Sequence, residues 1–128
     1  MADQQTETTS QAKTWDPTTI TSLQIEEIEV GTGATVETGS SVVVNYTGYL
    51  PDGTIFDSSI PRRQPFSFTV GQGRVIEGWE RGLIGMKLGG QRRLLIPASM
   101  GYGEGGVPGT IPPNSPLIFE IELLNIQE

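Results

Sequence analysis

One segment decides what the rest of this chain can fold into. VIEGWERGLIGM, residues 75–86, is the only stretch with convincing helical spacing. Ile76, Trp79 and Leu83 fall at i, i+3 and i+7 on one face, and Gly85 is placed to end the helix. The other patterned segments read as strands. SVVVNYTGYL sets Val42, Val44 and Tyr46 on one face, FSFTV (66–70) alternates, and GGQRRLLIP follows the helix as a strand. PLIFEIELLNI aligns Leu117, Phe119, Ile121 and Leu123. LQIEEIEV alternates through Leu23 and Ile25 and then shifts phase to Ile28 and Val30, which predicts a bulge or two half-strands. A single short helix cannot cover the apolar face of such a sheet unless the sheet curls around it. The expected fold is therefore α+β: a curved antiparallel sheet wrapped around one short helix.

The connections are turns. With Gly 17 and Pro 9, the chain favours many short links over long helices. GTG (31–33), ETGS (37–40), PDG (51–53) and the polar loop IPRRQP are such links, and ASMGYGEGGVPGTIPPNSP is a long aperiodic loop. Residues 1–21 are mostly polar, with Trp15 and Ile20 as large apolar side chains. That is too little apolar surface to offset the entropy of ordering. A flexible tail is expected over 1–21, with Trp15 loosely attached or, alternatively, docked on a single domain at 22–128. The polar start MADQQTETTSQ and the lack of a long apolar run predict a soluble, cytoplasmic protein. No heptad or spare apolar strand edge is visible, which predicts a monomer.

Composition then narrows the chemistry. The chain has no cysteine, so disulfides, thiolate nucleophiles and zinc–thiolate sites are excluded. It has no histidine, which removes the commonest general base near neutral pH and every imidazole-based triad or metal site. A reaction run by this chain must need little proton transfer and no covalent intermediate; no cofactor and no metal are expected. The net charge of −7 argues against nucleic acid or an anionic membrane as partner. Arg62-Arg63 lies in a loop, and Arg92-Arg93 falls on a strand with opposite side-chain directions, so neither pair makes a basic stripe.

Several motifs fail on context. GYGEGG matches G-x-G-x-x-G at Gly101, Gly103 and Gly106, but prolines 108, 112 and 113 exclude the helix that a dinucleotide site needs. Asn45-Tyr46-Thr47 matches a glycosylation sequon in mid-strand and reads as chance. The acidic pairs Glu26-Glu27 and Glu120/Glu122 read as the solvated faces of strands.

The aromatic residues remain. Tyr46, Tyr49, Phe56, Phe66, Phe68, Trp79, Tyr102 and Phe119 fall near element ends or on inward strand positions, where core is the plain reading. Polar groups among them suggest a pocket instead. Asp57 directly follows Phe56, and a carboxylate beside a core aromatic needs a partner, for which Arg62 is a candidate. Tyr102 sits among glycines in a loop able to fold over something.

VVVNYTGYLPDGTIFDSS, PFSFTVGQGRVIEGWERGLIGMKLGGQRRLLIP and GYGEGGVPGTIPPNSPLIFEIELL, in that order and spacing, resemble the FKBP-type peptidyl-prolyl cis-trans isomerases, the immunophilins that bind tacrolimus and rapamycin. The resemblance covers about Leu23 to Gln127. It implies an isomerase acting on X–Pro bonds in folding proteins and other proline-containing peptides, through a pocket between helix and sheet. By the same resemblance that pocket comprises Tyr46, Phe56, Asp57, Arg62, Phe66, Val75, Ile76, Trp79, Tyr102, Val107, Ile111 and Phe119. Trp79 is implied as the floor under the substrate's proline ring. The Ile76 N–H and Tyr102 hydroxyl are implied as donors to substrate carbonyls, and Asp57, with Phe56, as a neighbour of the bound amide. Three positions depart from the family pattern: Val107 stands where histidine is frequent, Thr110 where a bulky aliphatic is frequent, and Pro116 where threonine is common. The first two lie in the flap over the pocket and bear on substrate and macrolide preference. A non-enzymatic module holding a proline segment or a macrolide, and a purely structural β-domain, are the competing readings.

Overall fold

The computed structural model describes residues 14–127. Among these, six strands form one antiparallel sheet: β1 (Gln24–Glu29), β2 (Ser41–Tyr49), β3 (Ile55–Ser58), β4 (Phe66–Thr69), β5 (Gln91–Ile96) and β6 (Leu117–Gln127). The strand order is β1-β5-β6-β2-β3, and β4 pairs with β2 on the edge that β3 also uses. β2 is the hub. β6 runs along one of its edges from Tyr49↔Ile118 to Ser41↔Gln127, while β4 and β3 take successive halves of the other. The one α-helix among the described residues, α1 (Glu77–Gly82), follows β4 and lies against β5.

The period-two pattern explains the core. Val42, Val44 and Tyr46 of β2, Leu94 and Ile96 of β5, and Leu117, Phe119, Ile121 and Leu123 of β6 bury their side chains on the face that receives Trp79 and Leu83. The phase shift in β1 is a register break between Glu27 and Glu29 against β5, so the expected bulge sits at Ile28. The helix is shorter than its pattern suggested, six residues ending at Gly82, and Gly85 adopts φ +85° in the turn beyond. Its two glycines are not breaks. A Cβ at Gly78 would lie 2.6 Å from Ile96, and one at Gly82 2.7 Å from Leu94. Glycine at i and i+4 thus lets the helix backbone rest directly on β5.

Arg92 closes the far end of that contact. It is buried on the core side of β5, where its Nη1 donates to the carbonyls of Gly82 (2.8 Å) and Ile84 (3.0 Å). Its Nε and Nη2 donate to the Glu27 carboxylate. Arg93 faces the opposite way, to Glu26 and Glu120. The acids expected as solvated strand faces are therefore partly ion-paired.

The segment before β1 departs from expectation. Residues 1–13 of the expected tail lie outside the described residues. From Trp15 onward the chain lies on the outer face of the sheet rather than hanging free. The Trp15 N–H donates to the Pro51 carbonyl (2.7 Å), and its ring meets Tyr49 at 5.7 Å. Asp16 caps a single 3-10 turn at Pro17–Thr19. Ile20 is buried with Leu95 and Ile118, outward-facing residues of β5 and β6 that would otherwise be bare. Those side chains, not the tail's own composition, supply the apolar surface that orders it.

Candidate active site

A cavity of about 190 Å³ opens between α1 and the curved sheet. Tyr46 from β2, Phe56 and Asp57 from β3, Phe66 from β4, Val75, Ile76 and Trp79 from the helix and its approach, Tyr102 from the long loop, and Phe119 from β6 form its wall. These positions arrive from four strands, the helix with its approach, and the long loop, so the pocket exists only once the sheet has closed.

Trp79 is nearly fully buried, with 4% of its surface exposed, at the centre of a box of rings. Tyr46 and Phe119 meet it edge-on at 5.2 Å each, Phe66 at 6.0 Å, and Phe68 at a tilt from 5.7 Å. These are the offset and edge-to-face arrangements that ring quadrupoles favour. Its Nε1–H is buried with no hydrogen-bond partner among the described residues. Gly48 lets the far wall close: a Cβ there would come 2.6 Å from the Phe56 ring and 2.8 Å from that of Phe119.

The one carboxylate in the wall is satisfied from within. The Tyr46 hydroxyl donates to Asp57 Oδ2 (2.7 Å), and Arg62 Nη1 donates to Oδ1 (2.9 Å). Arg62 Nη2 also donates to the Tyr46 hydroxyl (3.2 Å), closing a three-residue ring. Arg62 does this from outside the cavity wall, clamping Asp57 from the loop after β3. That loop is pinned by Ser59, whose hydroxyl accepts from the Tyr46 N–H (2.9 Å) and donates to the Asn45 side chain (2.8 Å). Asn45, within the sequon match, thus has a structural task. Burial pushes the Asp57 carboxyl up, but bonds from Tyr46 and Arg62 and the guanidinium charge outweigh it and hold the group below the usual carboxylate range. Burial, then the adjacent Asp57, raises the Tyr46 phenol above its ordinary value. At neutral pH the pair is therefore carboxylate and neutral phenol.

Two donors on the rim are unused. Neither the Ile76 N–H nor the Tyr102 hydroxyl makes a hydrogen bond among the described residues. Ile76 is extended at the residue before α1, and Tyr102 is 43% exposed. The loop leading into the helix is braced by Glu80, whose carboxylate accepts from the Gly71 and Gly73 N–H groups, the latter at 2.8 Å.

Two expected wall residues lie elsewhere. Val107 and Ile111 pair with each other across the flap turn, in both directions at 2.8 Å, and the cavity wall does not include them. Ile111 is turned under the flap into the core. Conversely, Arg74 lines the cavity and no sequence signal marked it; as an isolated exposed cation in a loop it has no periodicity to betray it. No cluster of acidic side chains suited to a metal ion occurs among the described residues.

Comparison with known proteins agrees with this architecture. The profile of the FKBP-type peptidyl-prolyl cis-trans isomerases matches residues 33–124. An FK506-binding protein of Neisseria meningitidis serogroup A is 52% identical over 107 residues, which cover 84% of this chain and 98% of that protein. The mouse peptidyl-prolyl cis-trans isomerase FKBP2 is 53% identical over 89 residues, covering 70% of this chain and 64% of that one. Among solved structures, AtFKBP13 superposes with a TM-score of 0.77 at 35% identity, covering 82% of this chain and 93% of the other. FkpA from Escherichia coli gives 0.75 at 45% identity, covering 82% and 48%.

Proposed function

The chain belongs to the FKBP-type peptidyl-prolyl cis-trans isomerases, and from that premise we infer how its own residues carry out the reaction. It is an enzyme that accelerates rotation about X–Pro peptide bonds. The observation that carries the residue-level reading is the split among polar groups at the cavity. Asp57 is neutralised internally by Tyr46 and Arg62, while the Ile76 N–H and Tyr102 hydroxyl are left free to receive a ligand's carbonyls.

The uncatalysed bond turns over a barrier of roughly 18–20 kcal/mol in tens to hundreds of seconds. No bond is made or broken; the barrier is loss of amide resonance. A planar amide is more charge-separated than a twisted one, so a dry cavity walled by rings disfavours the ground state. In our reading the proline ring rests on Trp79, between Phe66, Val75 and Phe119. The twisting carbonyl turns toward Phe56 and Asp57, and Ile76 and Tyr102 fix the flanking carbonyls. Contacts made better with the twisted amide than the planar one lower the barrier. A reduction of about 5–8 kcal/mol corresponds to roughly 10⁴- to 10⁶-fold. No step asks for a base, which suits a chain without histidine.

The substrates in this reading are proline-containing peptides and folding proteins. The same cavity is proposed to take tacrolimus- or rapamycin-type macrolides, with Val107 and Thr110 adjusting affinity through the flap. A monomeric state and a cytoplasmic location complete the proposal, to be checked by sedimentation and by cell fractionation. Among the described residues no helix is long and apolar enough to cross a membrane.

The test is cis-to-trans relaxation of a Leu–Pro or Phe–Pro peptide, with and without rapamycin. Acceleration proportional to protein and abolished by rapamycin supports the reading. Acceleration indifferent to rapamycin keeps the enzyme and removes the macrolide. Peptide binding seen by Trp79 fluorescence with no acceleration would replace the enzyme by a binding module.

A further inference from the structure

Charge around the cavity is distributed unevenly. Two ionised side chains line it, Asp57 and Arg74. Asp57 is cancelled by Arg62 at 2.9 Å. Arg74 has no ion pair or hydrogen bond among the described residues. Most other guanidiniums are engaged, Arg81 with Glu77, Arg92 with Glu27, Arg93 with Glu26 and Glu120, and Arg63, which also lacks an ion pair among the described residues, does not line the cavity. Of the two acids on the helix that follows, Glu77 pairs with Arg81, and Glu80 has its carboxylate held by the Gly71 and Gly73 N–H groups of the loop that carries Arg74. That brace fixes where the guanidinium's stem leaves the backbone. The cavity mouth of a protein with net charge −7 is thus left with one uncompensated positive charge.

We propose that Arg74 is a specificity-determining residue that favours substrates carrying an aspartate or glutamate immediately after the proline. The inference rests on the isomerase reading above. With the twisting carbonyl of the preceding residue beside Asp57, the proline's own carbonyl is the one that Ile76 N–H receives. In that pose the chain beyond the carbonyl is directed toward Val75 and Arg74, which line the cavity beside Ile76. A carboxylate there meets a guanidinium that has no other partner, in a fork geometry suited to it. The site is open to water, so the preference is modest and sensitive to salt. About two- to fivefold is expected of an exposed pair, fading as added salt shortens the screening length.

The experiment compares two peptides that differ only after the proline, Leu–Pro–Glu and Leu–Pro–Gln, against the wild-type protein, Arg74→Gln and Arg74→Glu. Both kcat/KM for isomerisation and Kd from Trp79 fluorescence are measured at about 20 mM and about 500 mM salt. The expected result is a Glu/Gln preference of about two- to fivefold for wild type at low salt. It falls toward one at high salt, disappears in Arg74→Gln and inverts in Arg74→Glu. A preference identical in wild type and Arg74→Gln, or none in wild type at low salt, overturns the inference. Failure of the isomerase reading looks different: neither peptide is accelerated, while the Kd ratio still decides the role of Arg74.

Discussion

Asp57 carries a full charge in a wall made of rings, held there by Tyr46 and Arg62. Its proposed role is electrostatic and orienting, not that of a base. Asp57→Asn removes the charge proposed to lie beside the bound amide and is predicted to lower kcat/KM about tenfold, with the domain still folded by circular dichroism. Wild-type turnover in that variant would refute the role. The pH behaviour follows from the same pair. A depressed Asp57 pKa contributes stability that is present above its unfolded value and lost as pH falls through the folded one. A raised Tyr46 pKa contributes stability that is present below about pH 10 and lost as pH rises through its folded value. Between those limits neither group changes state, so turnover should be flat across neutral pH. Trp79 offers a separate test. Its orphan N–H carries a penalty of about 1–3 kcal/mol, which phenylalanine would shed while opening a cavity of similar cost. Trp79→Phe is predicted to change urea stability by less than about 1 kcal/mol yet to slow turnover, because a smaller floor supports the proline ring less well.

The helix is a six-residue element whose worth is its seat on β5. Gly78→Ala should gain about 1 kcal/mol in helix propensity and lose more through overpacking against Ile96. Urea denaturation is expected to show a net loss of about 1–2 kcal/mol; a stabilised variant would mean that the helix does not sit so close. Strands and their facing were legible in the sequence because burial on one side forces alternation, as Val42, Val44 and Tyr46 show, and because a phase shift at Ile28 can only be a bulge or a break. The partner of Asp57 was legible too, since a carboxylate beside Phe56 needs a cation and Arg62 lies five residues on. The glycines at 78 and 82 were not, because a missing side chain does not say what it makes room for. The orientation of Ile111, named through the family resemblance alone, was not legible from the residues either: a loop has no period from which to read which way a residue turns.

At the scale of the whole molecule, the sheet buries both of its faces by different means. The inner face takes the helix and the aromatic cavity; part of the outer face takes Trp15 and Ile20, from outside the family-matched residues 33–124. The sequence offered docking of Trp15 only as the alternative to a loose tail, because the apolar surface that orders the segment, Leu95 and Ile118, lies far along the chain. Ile20→Ala is predicted to cost about 2–4 kcal/mol in urea denaturation; a change below about 0.5 kcal/mol would return Ile20 to a loose tail. The cavity's chemistry depends on this closed sheet, since its walls come from β2, β3, β4, β6, the helix and one loop. The central claim is that such a cavity turns an amide without moving a proton. The most direct measurement is kcat/KM for cis-to-trans relaxation of a Leu–Pro peptide from about pH 5.5 to pH 9, in H₂O and in D₂O. The account predicts strong acceleration, a flat profile and a solvent isotope ratio near one; a bell-shaped profile, or a ratio of about two or more, would contradict it.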